Sequence, residues 1–144
     1  KLPLMNVRPL EPDDYENILC KWWKDWRKPA PPRDVLPDDG TGGFIVYDED
    51  IPVCAGFMYN TNSSMVWIEF IVSNINYTDR AKRREALAML DTTITLLARK
   101  LNKKYVYSLL KEDNRSLIDV SLNQGYIHNS IRFNEMIKKI WEQQ

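Results

Sequence analysis

Residues 65–73 read Met-Val-Trp-Ile-Glu-Phe-Ile-Val-Ser, an almost unbroken apolar run that holds a single charge, Glu69. So short a run, rich in β-branched and aromatic residues, predicts a strand, and the lack of polar alternation predicts burial on both faces. A strand buried twice needs cover on two sides, and the flanking sequence offers it. After the run, Leu87, Leu90, Ile94, Leu97 and Leu101 repeat in steps of three and four, a helical stripe. Thr78 or Asp79 is placed to cap that helix and Asn102 to stop it. Before the run, Tyr15, Ile18, Leu19, Trp22, Trp23 and Trp26 form a second helical face, which Pro29, Pro31 and Pro32 end. The acidic residues at 11–14 suit the start of that helix.

The remaining segments complete an alternating pattern. Residues 6–10 predict a strand, and residues 27–42 a loop with a helical turn near Arg33–Leu36. Residues 43–47 and 53–59 predict a hairpin across a polar turn, and residues 104–110 a further strand. Asn114 begins a helix that Gly125 ends with a left-handed cap. Residues 126–128 and 133–140 predict two last strands. The expected fold class is α/β: a mixed, mostly antiparallel central sheet of about six to seven strands with helices on both faces. One domain is expected over 1–144, with residues 1–4 preceding Met5, a candidate natural start.

Composition narrows the function classes. The chain has 20 basic and 20 acidic residues. A zero balance argues against a protein that lives by neutralising a nucleic-acid backbone. No apolar run reaches the length of a membrane span, and no secretory signal is visible, so no membrane partner and a cytoplasmic location are expected. Cys20 and Cys54 lie in apolar patterns that suit free thiols, and His128 is the sole histidine, so neither a disulfide framework nor a metal site is expected.

Certain side chains stand out against this background. Glu69 is alone in an apolar strand, where burial would lift its carboxyl toward the range useful to a general base. Strand alternation puts Trp67, Glu69 and Ile71 on one face and Phe70 and Val72 on the other. Arg83 lies four residues before Leu87 and Arg80 three before that, so both extend the inward stripe. A charge there needs a partner, and a phosphate or a neighbouring Asp79 or Glu85 would serve. Trp23 and Trp26 are candidates to contact an acceptor, with Trp23 expected to leave the core face, although the spacing equally suits plain core.

The element order resembles the GNAT superfamily of N-acetyltransferases over nearly the whole chain. Residues 48–59 (DEDIPVCAGFMY) are similar to its second hairpin, and residues 67–90 (WIEFIVSNINYTDRAKRREALAML) to its strand–loop–helix cofactor segment. Asn114, followed eleven positions on by Gly125 and Tyr126, falls in register with its late motif. The resemblance implies acetyl-CoA as acyl donor and a small-molecule or peptide amine as acceptor, in a monomer or a homodimer. It implies Glu69 as base and Ser121 at the position where many members carry an acidic tyrosine. It implies donor contacts from Ile71, Val72, Arg80, Lys82, Arg83, Arg84, Ala86 and Asn114, and acceptor contacts from Trp23, Trp26 and Trp67. The family's pyrophosphate loop carries glycines, whereas residues 81–86 here read Ala-Lys-Arg-Arg-Glu-Ala, of which only Ala86 conforms. A catalytically silent domain of the same fold and a tRNA-directed acetyltransferase are the alternatives.

Overall fold

Residues 65–73 are a strand over their whole length, and the other elements assemble around it. The computed structural model describes residues 5–128 and 134–140. In chain order the elements are β1 (Met5–Pro9), α1 (Cys20–Asp25), β2 (Gly43–Asp48), β3 (Ile51–Asn60), β4 (Met65–Ser73), α2 (Arg80–Lys100), β5 (Tyr105–Tyr107) and α3 (Arg115–Asn123). The five strands lie in the order β1-β2-β3-β4-β5, with three antiparallel ladders and a parallel one between β4 and β5.

The sheet separates two apolar clusters. On one side α2 and α3 bring Ala86, Leu87, Leu90, Ile94, Ala98, Leu117 and Val120 onto Val46, Val53, Cys54, Val66 and Ile68. On the other side Leu19, Trp22 and Trp23 cover Ile45, Ala55, Phe57 and Val72. Phe57 is completely buried; a side chain of that size contributes about 2–3 kcal/mol through burial. Helices therefore cover both faces, as expected.

Several expectations need correction. The sheet has five strands among the described residues rather than six to seven. Residues 126–128 and 134–140 form no strand, and residue 133 lies outside the described residues. The last strand spans only Tyr105–Tyr107, because β4 offers it a straight edge only from Met65 to Trp67. The α2 stripe also drifts: Leu101 is exposed, and Ala86 and Ala98 are buried in the core. Before α1, Tyr15–Leu19 form a π-type turn, which adds a residue to the period. That shift turns Trp23 into the core and leaves Trp26 39% exposed, the reverse of the expected order.

The acidic residues at 11–14 do more than favour a helix end. Arg8 clamps the buried Asp14 with two bonds of 2.7 and 3.0 Å, and the Glu11 N–H adds a third of 2.7 Å. Burial alone would raise the Asp14 carboxyl, but these partners outweigh it and hold it below the usual range. The caps on the later helices match the sequence. Asp79 accepts from the Lys82 N–H at 3.1 Å, Asn114 accepts from the Leu117 N–H at 3.3 Å, and Asn102 and Gly125 adopt positive φ.

Candidate active site

The β4 strand changes character midway. Ala55 pairs with Val72 and Phe57 pairs with Glu69, so Gly56 of β3 faces two residues, Phe70 and Ile71. This is a β-bulge, and Phe70 occupies it with φ +55°. A bulky residue in the left-handed region costs on the order of 1–2 kcal/mol. A methyl group on Gly56 would lie 3.1 Å from both Ile71 Cγ1 and Leu90 Cδ2, so the glycine makes room for the bend.

The bulge changes which residues share a face. Ile71 packs with the α2 cluster beside Val66 and Ile68, and Val72 and Phe70 pack with the α1 cluster. Trp67 and Glu69 pair with Tyr59 and Phe57, which belong to the α1 side. The expected grouping of Trp67 and Glu69 with Ile71 is therefore corrected, because one extra residue flips everything that follows.

Beyond Trp67 the parallel ladder ends. From Glu69 to Ser73, β4 has β3 along one edge and, among the described residues, no strand along the other. The strands splay there, and a cavity of ≈ 20 Å³ opens between Ile68, Ile71, Ser108, Asp91, Ser121 and Tyr126. That is room for about one water. The Ser108 hydroxyl is buried there without a partner, and Tyr126 donates to Asp91 at 2.6 Å. Burial, then Asp91, push the Tyr126 phenol up, which makes it a poor acid.

Glu69 sits half-buried on the α1 side of this splay. Burial raises its carboxyl above the ordinary range, and the charge of Glu135 adds to the rise. The Phe70 N–H, 3.3 Å away, and the Trp67 indole pull the other way. The indole Nε1 is buried with no acceptor in bonding geometry, so its effect on Glu69 is electrostatic rather than a formed bond. Trp67 stacks edge-on with Tyr107 at 4.9 Å, and Phe70 lies 6.4 Å from Tyr59. Tyr59 donates to the Val35 carbonyl at 2.9 Å, and burial with the Glu69 charge pushes its phenol up to about 12. Trp26 donates to the Ser73 carbonyl at 2.8 Å, which ties the end of α1 to the end of β4. Trp23 is buried in the core, away from solvent.

The turn from β4 into α2 is arranged quite differently. Asp79 caps the helix with its own carboxylate. Arg83 points inward, as its spacing implies, and its guanidinium donates to the carbonyls of Tyr77 and, at 3.4 Å, of Asn74. Lys82 lies 3.9 Å from Asp48, which also accepts from the Tyr77 hydroxyl at 2.7 Å. Arg84 reaches Asp119 at 3.5 Å and Ala86 is buried in the core, but Arg80, expected on the inward stripe, is exposed in the first turn of α2. The outer edge of β4 at Ile71 and Val72 thus has no paired strand among the described residues, whereas the start of α2 carries a capping carboxylate.

Sequence reasoning missed the bulge, the role of Phe70 and the unpartnered Ser108. Gly56, set between two apolar runs, was the available signal for the first. Among the described residues no helix is long and apolar enough to cross a membrane.

No protein-family profile matches the chain, and no curated protein matches it either. Solved structures do. A protein from Thermus thermophilus aligns at 13% identity and TM-score 0.69, covering 93% of this chain and 98% of its own. The ribosomal-protein-S18-alanine N-acetyltransferase from Escherichia coli aligns at 13% identity and TM-score 0.65, covering 89% of this chain and 81% of its own. AAC(6')-Iy, in complex with the bisubstrate analogue CoA-S-monomethyl-acetylneamine, aligns at 14% identity and TM-score 0.65, covering 94% and 98%. With three α-helices and a five-stranded mixed sheet among the described residues, the chain has a fold that resembles those of GNAT acetyltransferases.

Proposed function

We propose that this protein transfers an acyl group from a pantetheine thioester, such as acetyl-CoA, to a primary amine. The observation that carries the reading is the bulge at Phe70. Next to it, among the described residues, no strand pairs with the other edge of β4, and a half-buried carboxylate lies beside that edge. A bound thioester supplies the acyl group, and transfer forms a C–N bond as the C–S bond breaks, releasing a thiol. On this reading, backbone amides near Ile71 and Val72 hold the pantetheine and polarise the carbonyl. Glu69 accepts the proton that the amine loses, and its raised pKa suits that task. On this reading Trp67 and Trp26 flank the acceptor, and the side chain of Asn114, whose oxygen caps α3, contacts the donor. Ser121 and Ser108 line the cavity on the opposite face of β4, where the departing thiolate would take up its proton through water.

The test is an assay with S-acetyl thioester donors against polyamines, aminoglycosides, amino acids and peptides. Product formation that falls at least a hundredfold in Glu69→Gln supports the reading, since a general base contributes that much. An unchanged rate removes Glu69 from the mechanism. A second reading, a domain that binds a thioester without turning it over, is favoured by Ser121 in place of a phenol and by the raised pKa of Tyr126. Binding without transfer to any amine would select it.

A further inference from the structure

The helix α3 is weakly anchored. Of its nine residues only Leu117 and Val120 are buried, and residues 108–114, which lead into it, form neither strand nor helix. An element with so little buried apolar surface opens locally at low cost. Its far end is tied down by one carboxylate. Gly125, at φ +96°, reverses the chain, so that Gln124 and Tyr126 both reach Asp91 of α2. The Tyr126 hydroxyl donates to Asp91 at 2.6 Å, and the Gln124 amide donates to Asp91 at 3.3 Å and to the Thr92 hydroxyl at 3.0 Å. Burial and Asp91 raise the Tyr126 phenol, so it keeps its proton and stays a donor.

What α3 covers is the cavity beside β4. Leu117, Val120, Ser121 and Tyr126 form one wall of it, and Ser108 stands opposite with a buried hydroxyl that has no partner among the described residues. The space of ≈ 20 Å³ holds about one water, too little for the thiol end of a pantetheine arm. Resting on the acyl-transfer reading above, we infer that α3 is a gate latched by Asp91, and that release of Gln124 and Tyr126 lets the thiol end of the donor reach Ser108. Asp91 is then a positioning residue: it sets the fraction of molecules that can take the donor.

Two latch variants of the whole chain test this. Tyr126→Phe keeps the ring and loses the hydroxyl, and Gln124→Ala changes an exposed side chain, so its fold is safe if the first variant misfolds. Losing a bond to a charged acceptor should speed hydrogen exchange at the α3 amides about tenfold, with the α2 amides unchanged. Because only the open form takes the donor, acetyl-CoA should bind about as much tighter as the open fraction grows. In stopped flow the wild-type binding rate should level off with acetyl-CoA concentration, and the plateau should rise in both variants. Faster exchange with unchanged or weaker binding would show α3 to be a fixed wall and overturn the inference, leaving acyl transfer standing. Unchanged exchange in both variants would also overturn it, since the latch would hold nothing. If acetyl-CoA binds none of the three proteins, the acyl-transfer reading falls and takes this inference with it.

Discussion

Two stretches of one chain segment, the bulge at 69–71 and the turn at 74–83, lie only a few residues apart and treat their polar groups in opposite ways. At the bulge, Phe70 holds a costly backbone angle, the Trp67 indole N–H lacks an acceptor, and Glu69 has one long hydrogen bond. At the turn, Asn74, Tyr77, Asp79 and Arg83 each make hydrogen bonds within the protein, and the one unmet group is the buried Arg83 Nε. Unmet groups are costly unless a ligand meets them, whereas met groups hold a shape. On the acyl-transfer reading proposed above, the chemistry falls at the first stretch, although the charge pattern of the sequence points to the second.

This contrast is open to attack at several points. The largest effect is expected from Glu69→Gln, which should cut the acyl-transfer rate about a hundredfold or more, worth about 2.7 kcal/mol at the barrier. The wild-type rate should rise with pH through a pKa above the ordinary carboxylate range, and the mutant should lose that limb. Arg83→Ala comes next. It removes a charge-assisted staple, so it should lower stability by about 1.5–3 kcal/mol and Tm by roughly 5 °C, while thioester affinity changes little. A large loss of affinity with unchanged Tm would show Arg83 to be a ligand group after all. Gly56→Ala should cost about 1 kcal/mol, because its methyl presses on Ile71 and Leu90. Denaturant unfolding measures that cost, and a neutral result would mean that the bulge has slack.

The smallest effect concerns stability and pH. The folded pKa of Glu69 lies above its unfolded value, so the folded state binds this proton more tightly. That contribution is fully present below the unfolded pKa and is lost as pH rises through the folded one. Glu69→Gln should therefore be slightly more stable than the wild type at neutral pH, with the gain shrinking toward pH 4. Thermal melts at the two pH values check it. A mutant less stable than the wild type at pH 7 would show that the charged carboxylate has a partner in the fold.

Much of the frame was legible because it rests on local rules. Asp79 and Asn114 cap, Gly125 and Asn102 stop, and Met65–Ser73 reads as one strand, because each depends on a few neighbouring residues. The π-type turn before α1 was not legible, since the same aromatics satisfy either period until packing selects one. The bulge was harder still: a period-2 reading assumes an unbroken ladder, and the break depends on space around Gly56 that β3 and α2 create together. At the site, Glu69 could be found as a lone charge. The engagement of Arg83 by loop carbonyls could not, because a backbone partner leaves no mark in the sequence.

Phe70 is one residue more than the strand needs. If its residue were deleted, Glu69 would precede Ile71 directly, and the inside–outside alternation of β4 would run unbroken with every other side chain on its present face. The bend in this strand thus amounts to the insertion of a single codon into an ordinary sheet. Taking that residue out again would remove the left-handed backbone angle that Phe70 holds and make the strand easier to fold.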